Sequence, residues 1–557
     1  MNRLAQDSEV AHGAHRPKAI SSDGANAQPT SIDNSAIGLG QIVARGATFL
    51  FLSQFGSAVI GLLGSIILVR LLVSPSEYAP IGLAVTVPGL VMLGDVTGIN
   101  QSLTRYLSEY KRSRNSNAIW SSFWTGTILK ATTGLILSAV AYFAAGPIAV
   151  LIGKPQVIPF FLVAAPLPFV WVTQVNVKSV LLALDAPRGY SLLQVLNEIL
   201  LTVSPILAVL FGLGALGALS YMVLANFVYL AIAYAYCILV VLSATERTQR
   251  QFTLSATVRK LTAFGAPLGF SNSFSSFAGQ VVNLIVARFV ALDVYGLYSV
   301  AQSASGFLGY VVDPIKSMLL PAYSRIADIK NSDLMKSLCI QTTRYETAFV
   351  LPATLFFIVF ASPFIVLLYG VQYASSGLIL TLVAASFLPV GLANDALTTF
   401  LMTSGFTRYV GGVMIVSSVS IIAIAVLAVP TFGLLGFLLA SIFSFVPGYL
   451  LIVSKARSAL GLGPPIAFVK PLYYALLFTG AASGIIIFAP VPPFAMVLAG
   501  LVLVPVLFVV FSALFRAIEP ADFVRLRGMM ATQSVIPRLI GPLIELSERL
   551  VIFIRRD

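Results

Sequence analysis

The chain has 557 residues, of which 58% are hydrophobic and 10% charged, with a net charge of +13 and a mean hydropathy of +0.94. An ordinary soluble domain carries about 25% charged residues, so this composition excludes a soluble enzyme or scaffold. The positive charge implies no nucleic acid, because it is spread over short connections between apolar runs, where it faces anionic lipid headgroups.

Residues 1–40 are rich in Ser, Ala, Asn, Gly and Asp and lack a signal-peptide core, so they are predicted to form a disordered, retained cytoplasmic tail. Apolar runs of about 20 residues then predict fourteen helices, near 46–70, 78–101, 118–145, 157–183, 189–212, 214–242, 262–289, 295–321, 345–368, 375–403, 409–430, 432–454, 470–489 and 494–515. Of the 34 Lys and Arg residues, 28 fall in every second gap, starting with the N-terminal tail. Short basic loops resist translocation. This split therefore predicts a multi-pass protein of the cell (inner, cytoplasmic) membrane with both termini cytoplasmic. Only Arg70 and Lys154 fall in the opposite gaps, and Lys130, Lys178, Arg288 and Lys316 fall inside spans.

The six-helix unit recurs. ILVRLLVSPSEYAPIGLA (67–84) at the end of span one parallels LIVARFVALDVYGLYSVA (284–301) at the end of span seven. Each has an Arg closing one helix (Arg70, Arg288), an acid (Glu77, Asp293) and a Tyr opening the next (Tyr78, Tyr295). An even number of spans per copy gives both the same orientation, hence two parallel bundles around a central cavity. The predicted organisation is a bundle over 41–242, a cytoplasmic linker over 243–260, a second bundle over 261–455, two additional helices within 456–515, and a cytoplasmic tail over 516–557. In that tail Leu539, Leu543, Leu546, Leu550 and Ile554 recur at helical spacing, which predicts an amphipathic helix on the membrane surface.

Polar groups inside spans mark a wet cavity or a partner. Gln302, Gly306, Gly309, Asp313 and Lys316 share one face of span eight, and Asn272, Ser276, Gly279 and Asn283 one face of span seven. Trp171, Gln174 and Lys178 align in span four, and Tyr190, Gln194 and Asn197 in span five with Glu198 beside them. Lys130 stands alone in span three, and Asp395 sits in span ten. The cations Lys130, Lys178, Arg288 and Lys316 are the candidates for holding an anionic headgroup. Gln174, Gln194, Asn197, Asn272, Asn283 and Gln302 are the candidate cavity lining. Asp95, Glu198, Asp313 and Asp395 are the candidates for ion coupling, with Glu198 opposite Lys178 and Asp313 beside Lys316 as pairs. Permanent salt bridges are the alternative reading of both pairs, and snorkelling to headgroups that of Arg70 and Arg288. There is no GxxxxGK[ST], no His/Cys cluster and no catalytic constellation, so neither cofactor, metal nor enzyme activity is expected. Energy would come from an ion gradient, the membrane potential or the substrate gradient.

Several stretches resemble the Wzx-type oligosaccharide flippases, the polysaccharide transporter family of the MOP superfamily. SEYAPIGLAVTVPGLVMLGDVTGINQSLTRYLSEY (76–110), with GINQSLTRY (98–106) at its centre, resembles that family's second helix and first cytoplasmic loop. VYGLYSVAQS (294–303), LLPAYSRIAD (319–328), LLYGVQYASSG (367–377) and MTSGFTRY (402–409) resemble its later helix ends and turns. The resemblance implies a carrier of polyprenyl-phosphate- or pyrophosphate-linked oligosaccharide from the inner to the outer leaflet. It implies membrane lipids, glycosyltransferases or a polysaccharide polymerase as partners, and it assigns no residue a role. Two alternatives stay open: a multidrug or cation exporter of the related MATE type, and a non-transporting scaffold for polysaccharide assembly. The exporter family typically places an acid in its first helix, and span one here has none.

Overall fold

The structure is a computed structural model that describes residues 31–518, apart from 73, 96–97, 246–253, 328–331, 393 and 462–465, together with 523 and 536–554. Side chains are described from Leu52 onward, with gaps that include 254–269 and most of 310–334.

The described chain is helical. Helix α1 (Ser31–Leu72) begins inside the tail predicted to be structureless. Each added residue extends a helix already nucleated by the apolar span. Ser74 caps α2 (Pro75–Ala84), its hydroxyl accepting from the Glu77 amide at 3.3 Å with proline at the first helical position. After α3 (Thr86–Val91) a 3₁₀ turn over Met92–Gly94 breaks the second predicted span before α4 (Ile99–Arg112). Then follow α5 (Ser116–Leu151), α6 (Ile158–Ala164), α7 (Leu167–Ala183), α8 (Pro187–Leu210) and α9 (Gly214–Ser243). At 1.5 Å per residue α5 is about 54 Å long, more than a bilayer core of about 30 Å, so it projects beyond it.

The next helices are α10 (Leu254–Phe289), α11 (Leu292–Ala327), α12 (Ser332–Val359), α13 (Ala361–Tyr369), α14 (Ser376–Ala385) and α15 (Asn394–Thr403). They are followed by α16 (Thr407–Phe443), α17 (Phe445–Leu460), α18 (Ile466–Gly484), α19 (Pro493–Leu514) and α20 (Ile536–Ile554). Within α16 the chain folds over at Gly433, whose φ of 58° and ψ of −133° suit glycine, close to the predicted boundary between spans eleven and twelve.

Each of the fourteen predicted spans falls on helical backbone, whole or broken. Among the described residues nine stretches are long and apolar enough to cross a membrane by themselves, or ten with α12 and α13, which meet at 72°, counted as one. One of the nine, Thr407–Ala459, holds two predicted spans. The protein is an all-α polytopic membrane protein.

Packing sorts the helices. Helix α1 lies along α8, α5 along α7 and α8 along α9, while α10 lies along α16 and α11 along α12 and α14. The sets α1–α9 and α10–α17 meet chiefly through α2 on α11 and through the broken second span on α10. Helices α18 and α19 lie against α12 and α13, and α20 packs on α19 with Val551 buried against Ala513 and Phe523.

Candidate functional site

The break in the second span places a deeply buried ion pair. Asp95 follows the 3₁₀ turn with φ −85° and ψ 53°, and Gly98, at φ 57°, restarts the helix. Lys130 of α5 donates to both oxygens of the Asp95 carboxylate, at 2.6 and 2.8 Å. Its side chain is 1% exposed and that of Asp95 11%. In a low-dielectric interior such a charge is tolerable only when paired and hydrogen-bonded. Lys130, alone when read along span three, is therefore matched by an acid 35 positions earlier in the chain. The carbonyl that the break frees on Asp95 accepts from the Ser273 hydroxyl of α10 at 3.1 Å. The broken segment thus ties the two sets of helices together through its backbone.

A neighbouring polar knot escapes sequence reading. Asn176 of α7 is fully buried, and its amide nitrogen donates to Thr127 Oγ1 at 3.3 Å and Tyr234 Oη at 3.2 Å. Its signal was weak, because it lies two residues from both Gln174 and Lys178 and so on another face of the helix. Gln174 turns to Asn226 of α9, donating at 3.1 Å.

The pair expected between Lys178 and Glu198 does not form. The Lys178 ammonium lies over the Tyr190 ring, 5.5 Å from its centroid, and the side chain is exposed. Glu198, half-buried, faces α1 instead, and a Cβ on Gly61 would come within 2.4 Å of Glu198 Oε1. One turn further a Cβ on Gly64 would come within 2.3 Å of Thr202. The two glycines let α1 and α8 approach closely enough to enclose the carboxyl group. Along the same helix the side-chain oxygens of Gln194 and Asn197 are buried without a hydrogen-bond partner among the described residues, as is the hydroxyl of Ser57 on α1.

In the second set the predicted stripe Gln302, Gly306 and Gly309 lines a cavity of about 300 Å³, closed by Ser386 of the turn after α14 and Ser441 of α16. Asp395 lies with Asn394, Ser275 and Ser418 on a larger one of about 460 Å³. Both cavities lie among helices of the second set. Asn283 bonds within its own helix, donating to Gln280 at 3.2 Å, and Asn272 is exposed. Arg288 sits at the end of α10 with its guanidinium beside Gly153. The side chains of Asp313 and Lys316 lie outside the described residues. Of the predicted cations, Lys178 and Arg288 carry no ion pair among the described residues.

A third cavity is apolar. It has a volume of about 390 Å³ and lies where α1, α11, α12, α13 and α19 converge, lined by Leu62, Phe307, Phe356, Phe357, Phe364 and Leu501.

Residues 67–378 match the model of a family described as polysaccharide biosynthesis protein. No curated protein sequence matches the chain. Among solved structures, one described as lipid II flippase MurJ in an inward closed conformation aligns with a TM-score of 0.66 at 14% identity, over 84% of this chain and 98% of that one. An inward-facing multidrug resistance MATE family transporter of the MOP superfamily aligns at 0.60 and 17% identity, over 73% of this chain and 95% of that one. A MOP superfamily transporter from Pyrococcus furiosus, described as having a binding pocket of reverse polarity, aligns at 0.51 and 17% identity, over 75% and 97%. At these identities the likeness is one of fold.

Proposed function

This chain belongs to the polysaccharide biosynthesis protein family, and on that premise we propose that it is an alternating-access flippase for polyprenyl-phosphate- or pyrophosphate-linked oligosaccharide. Transport runs from the inner to the outer leaflet and feeds surface polysaccharide or glycan assembly. The observation that carries the reading is the family match over residues 67–378, which runs across both sets of helices.

The geometry supports it in two ways. The cavity lined by Phe307, Phe356, Phe357 and Phe364 offers an isoprenoid chain an apolar environment beside α1 and α11. Lys178 and Arg288 carry no ion pair among the described residues and are available for phosphate oxygens, to which ammonium and guanidinium groups make charge-assisted hydrogen bonds. Lys130 drops out of the headgroup set, because Asp95 holds it. Membrane lipids and the enzymes that build or polymerise the glycan are the partners of this reading.

One observation favours a second reading. Glu198 lies at the α1–α8 seam, along which the oxygens of Gln194, Asn197 and Ser57 have no partner among the described residues, a set of acceptors that suits a coupling cation, as a MATE-like exporter would need. Proteoliposomes carrying a fluorescent polyprenyl-pyrophosphate oligosaccharide separate the two. The flippase exchanges the glycan between leaflets faster than protein-free vesicles do, and replacing Lys178 and Arg288 together by Gln slows it. No exchange above the protein-free rate, with proton- or sodium-driven export of a cationic dye, would establish the exporter instead.

A further inference from the structure

Arg70 and Lys154 are the two basic residues that the charge pattern leaves in the outer connections, and the fold uses both in the same way. Arg70, in the last turn of α1, donates from Nε to the Leu368 carbonyl and from Nη2 to the Leu367 carbonyl, each at 2.7 Å. Lys154, in the turn after α5, donates from Nζ to the carbonyl of Ala287 and to that of Val290, the latter at 2.9 Å. Leu367 and Leu368 lie in the last turn of α13, and Ala287 and Val290 at the end of α10. Such carbonyls have lost their intrahelical donors and carry the negative end of the helix dipole. In each case a cation from α1–α9 caps the C-terminal end of a helix in α10–α17.

The backbones around these contacts are nearly touching. A Cβ on Gly296 of α11 would come within 2.0 Å of the Pro75 carbonyl oxygen, and one on Gly82 of α2 within 2.8 Å of Ser299 Oγ. Tyr78 and Ser303 hydroxyls lie 3.4 Å apart, and Ser65 and Tyr369 hydroxyls 3.0 Å. All of these groups sit at the end of the molecule that the charge pattern assigns to the exterior.

We propose that Arg70 and Lys154 are the two bolts of an outer latch, which holds the sets of helices together on the exterior side and is drawn when the carrier opens outward. This rests on the alternating-access reading and adds the device that sets its outer-closed state. The chemistry suits a reversible bolt. A cation resting on carbonyls separates without leaving an uncompensated carboxylate behind. Once drawn, the cation meets water or lipid phosphate and the carbonyls meet water. The Arg288 guanidinium, within 2.4 Å of where a Cβ on Gly153 would lie, brings a second positive charge to the Lys154 bolt and keeps it from being too tight.

The test is a distance measurement on the full chain in lipid nanodiscs. Spin labels are placed on Leu151→Cys and Val371→Cys, at exposed positions of the two sets (70% and 75% exposed), with the two native cysteines replaced by Ala. Arg70→Gln with Lys154→Gln is expected to raise the ratio of long to short distances about tenfold, the change that corresponds to about 1.4 kcal/mol. Arg70→Lys with Lys154→Arg should restore most of the short distance. An unchanged distribution in a double variant whose thermal unfolding matches the parent overturns the latch. If the double variant is not recovered folded, each single variant should open part way, and singles identical to the parent overturn it equally. No substrate enters this measurement, so a failed leaflet-exchange assay would bear on the substrate reading and leave the latch to be judged by its own distances.

Discussion

Replacing Lys130 by Met tests whether the buried charge of α5 is structural. The ammonium is 1% exposed and makes two short bonds to one carboxylate that is itself 11% exposed. Methionine fills a similar volume but leaves Asp95 without its cation. Removing one partner of a buried ion pair costs about 3–5 kcal/mol, a large share of a folding stability on the order of 5–15 kcal/mol. Asp95→Asn should cost a comparable amount, because it strands the ammonium. The double variant Asp95→Asn with Lys130→Met should be more stable than either single one, since it removes both charges and the desolvation each required. Reversible unfolding in mixed micelles, followed by tryptophan fluorescence, gives the three free energies and their coupling. The double variant should also keep leaflet exchange, because this pair holds the broken span rather than the substrate. A Lys130→Met protein as stable as the parent but inactive would refute the reasoning and return Lys130 to the substrate site.

Two further outcomes follow from the outer contacts. Gly296→Val places a branched side chain where even a Cβ would lie 2.0 Å from the Pro75 carbonyl, so it should hold the spin-labelled pair at the long distance. Gly412→Ala, whose Cβ meets nothing within 4 Å, should leave the distribution unchanged, and a closed Gly296→Val protein would show that this approach is not what limits closure. The second outcome concerns pH. Burial, and then the nearby Arg288 charge, pull the Lys154 ammonium below the ordinary lysine value of 10.5 in the closed form, whereas opening returns it to water. The closed form then binds fewer protons than the open one in the window just below 10.5, so raising the pH through that window should favour closure. The amine left behind keeps two N–H donors, one for each carbonyl. Lys154→Gln should abolish the trend, and a closed fraction that falls as pH rises in the parent alone would contradict it.

Length and periodicity of apolar runs were enough to place the helices, because a bilayer leaves the backbone almost no other choice. Even the turn near Gly433 falls close to where the basic and apolar pattern divides spans eleven and twelve. What stayed hidden was rotation. A sequence reports which residues share a face of one helix, and says little of which neighbour that face meets. Glu198 and Lys178 occupy adjacent predicted spans, yet Gly61 and Gly64 draw α1 against α8 and turn the carboxyl group that way. The apolar pattern over 78–101 predicts one unbroken helix with Asp95 in its inner half. Gly94 and Gly98, flanking it, were the local sign that the helix stops there. The capping role of Arg70 has no local signal, because the carbonyls it caps lie about 300 positions further along the chain, at Leu367 and Leu368.

The apolar cavity gives the molecule two unlike flanks. Where α1 meets α11, the gap is oily and is walled by α19, a helix outside the two sets α1–α9 and α10–α17. Where the broken second span meets α10, the contacts are polar: the Ser273 hydroxyl on the Asp95 carbonyl, and Gln280 packed over Gly89. That contrast gives the protein a front and a back within the plane of the membrane. An apolar molecule diffusing in the bilayer then meets a greasy threshold on one side and a hydrogen-bonded hinge on the other.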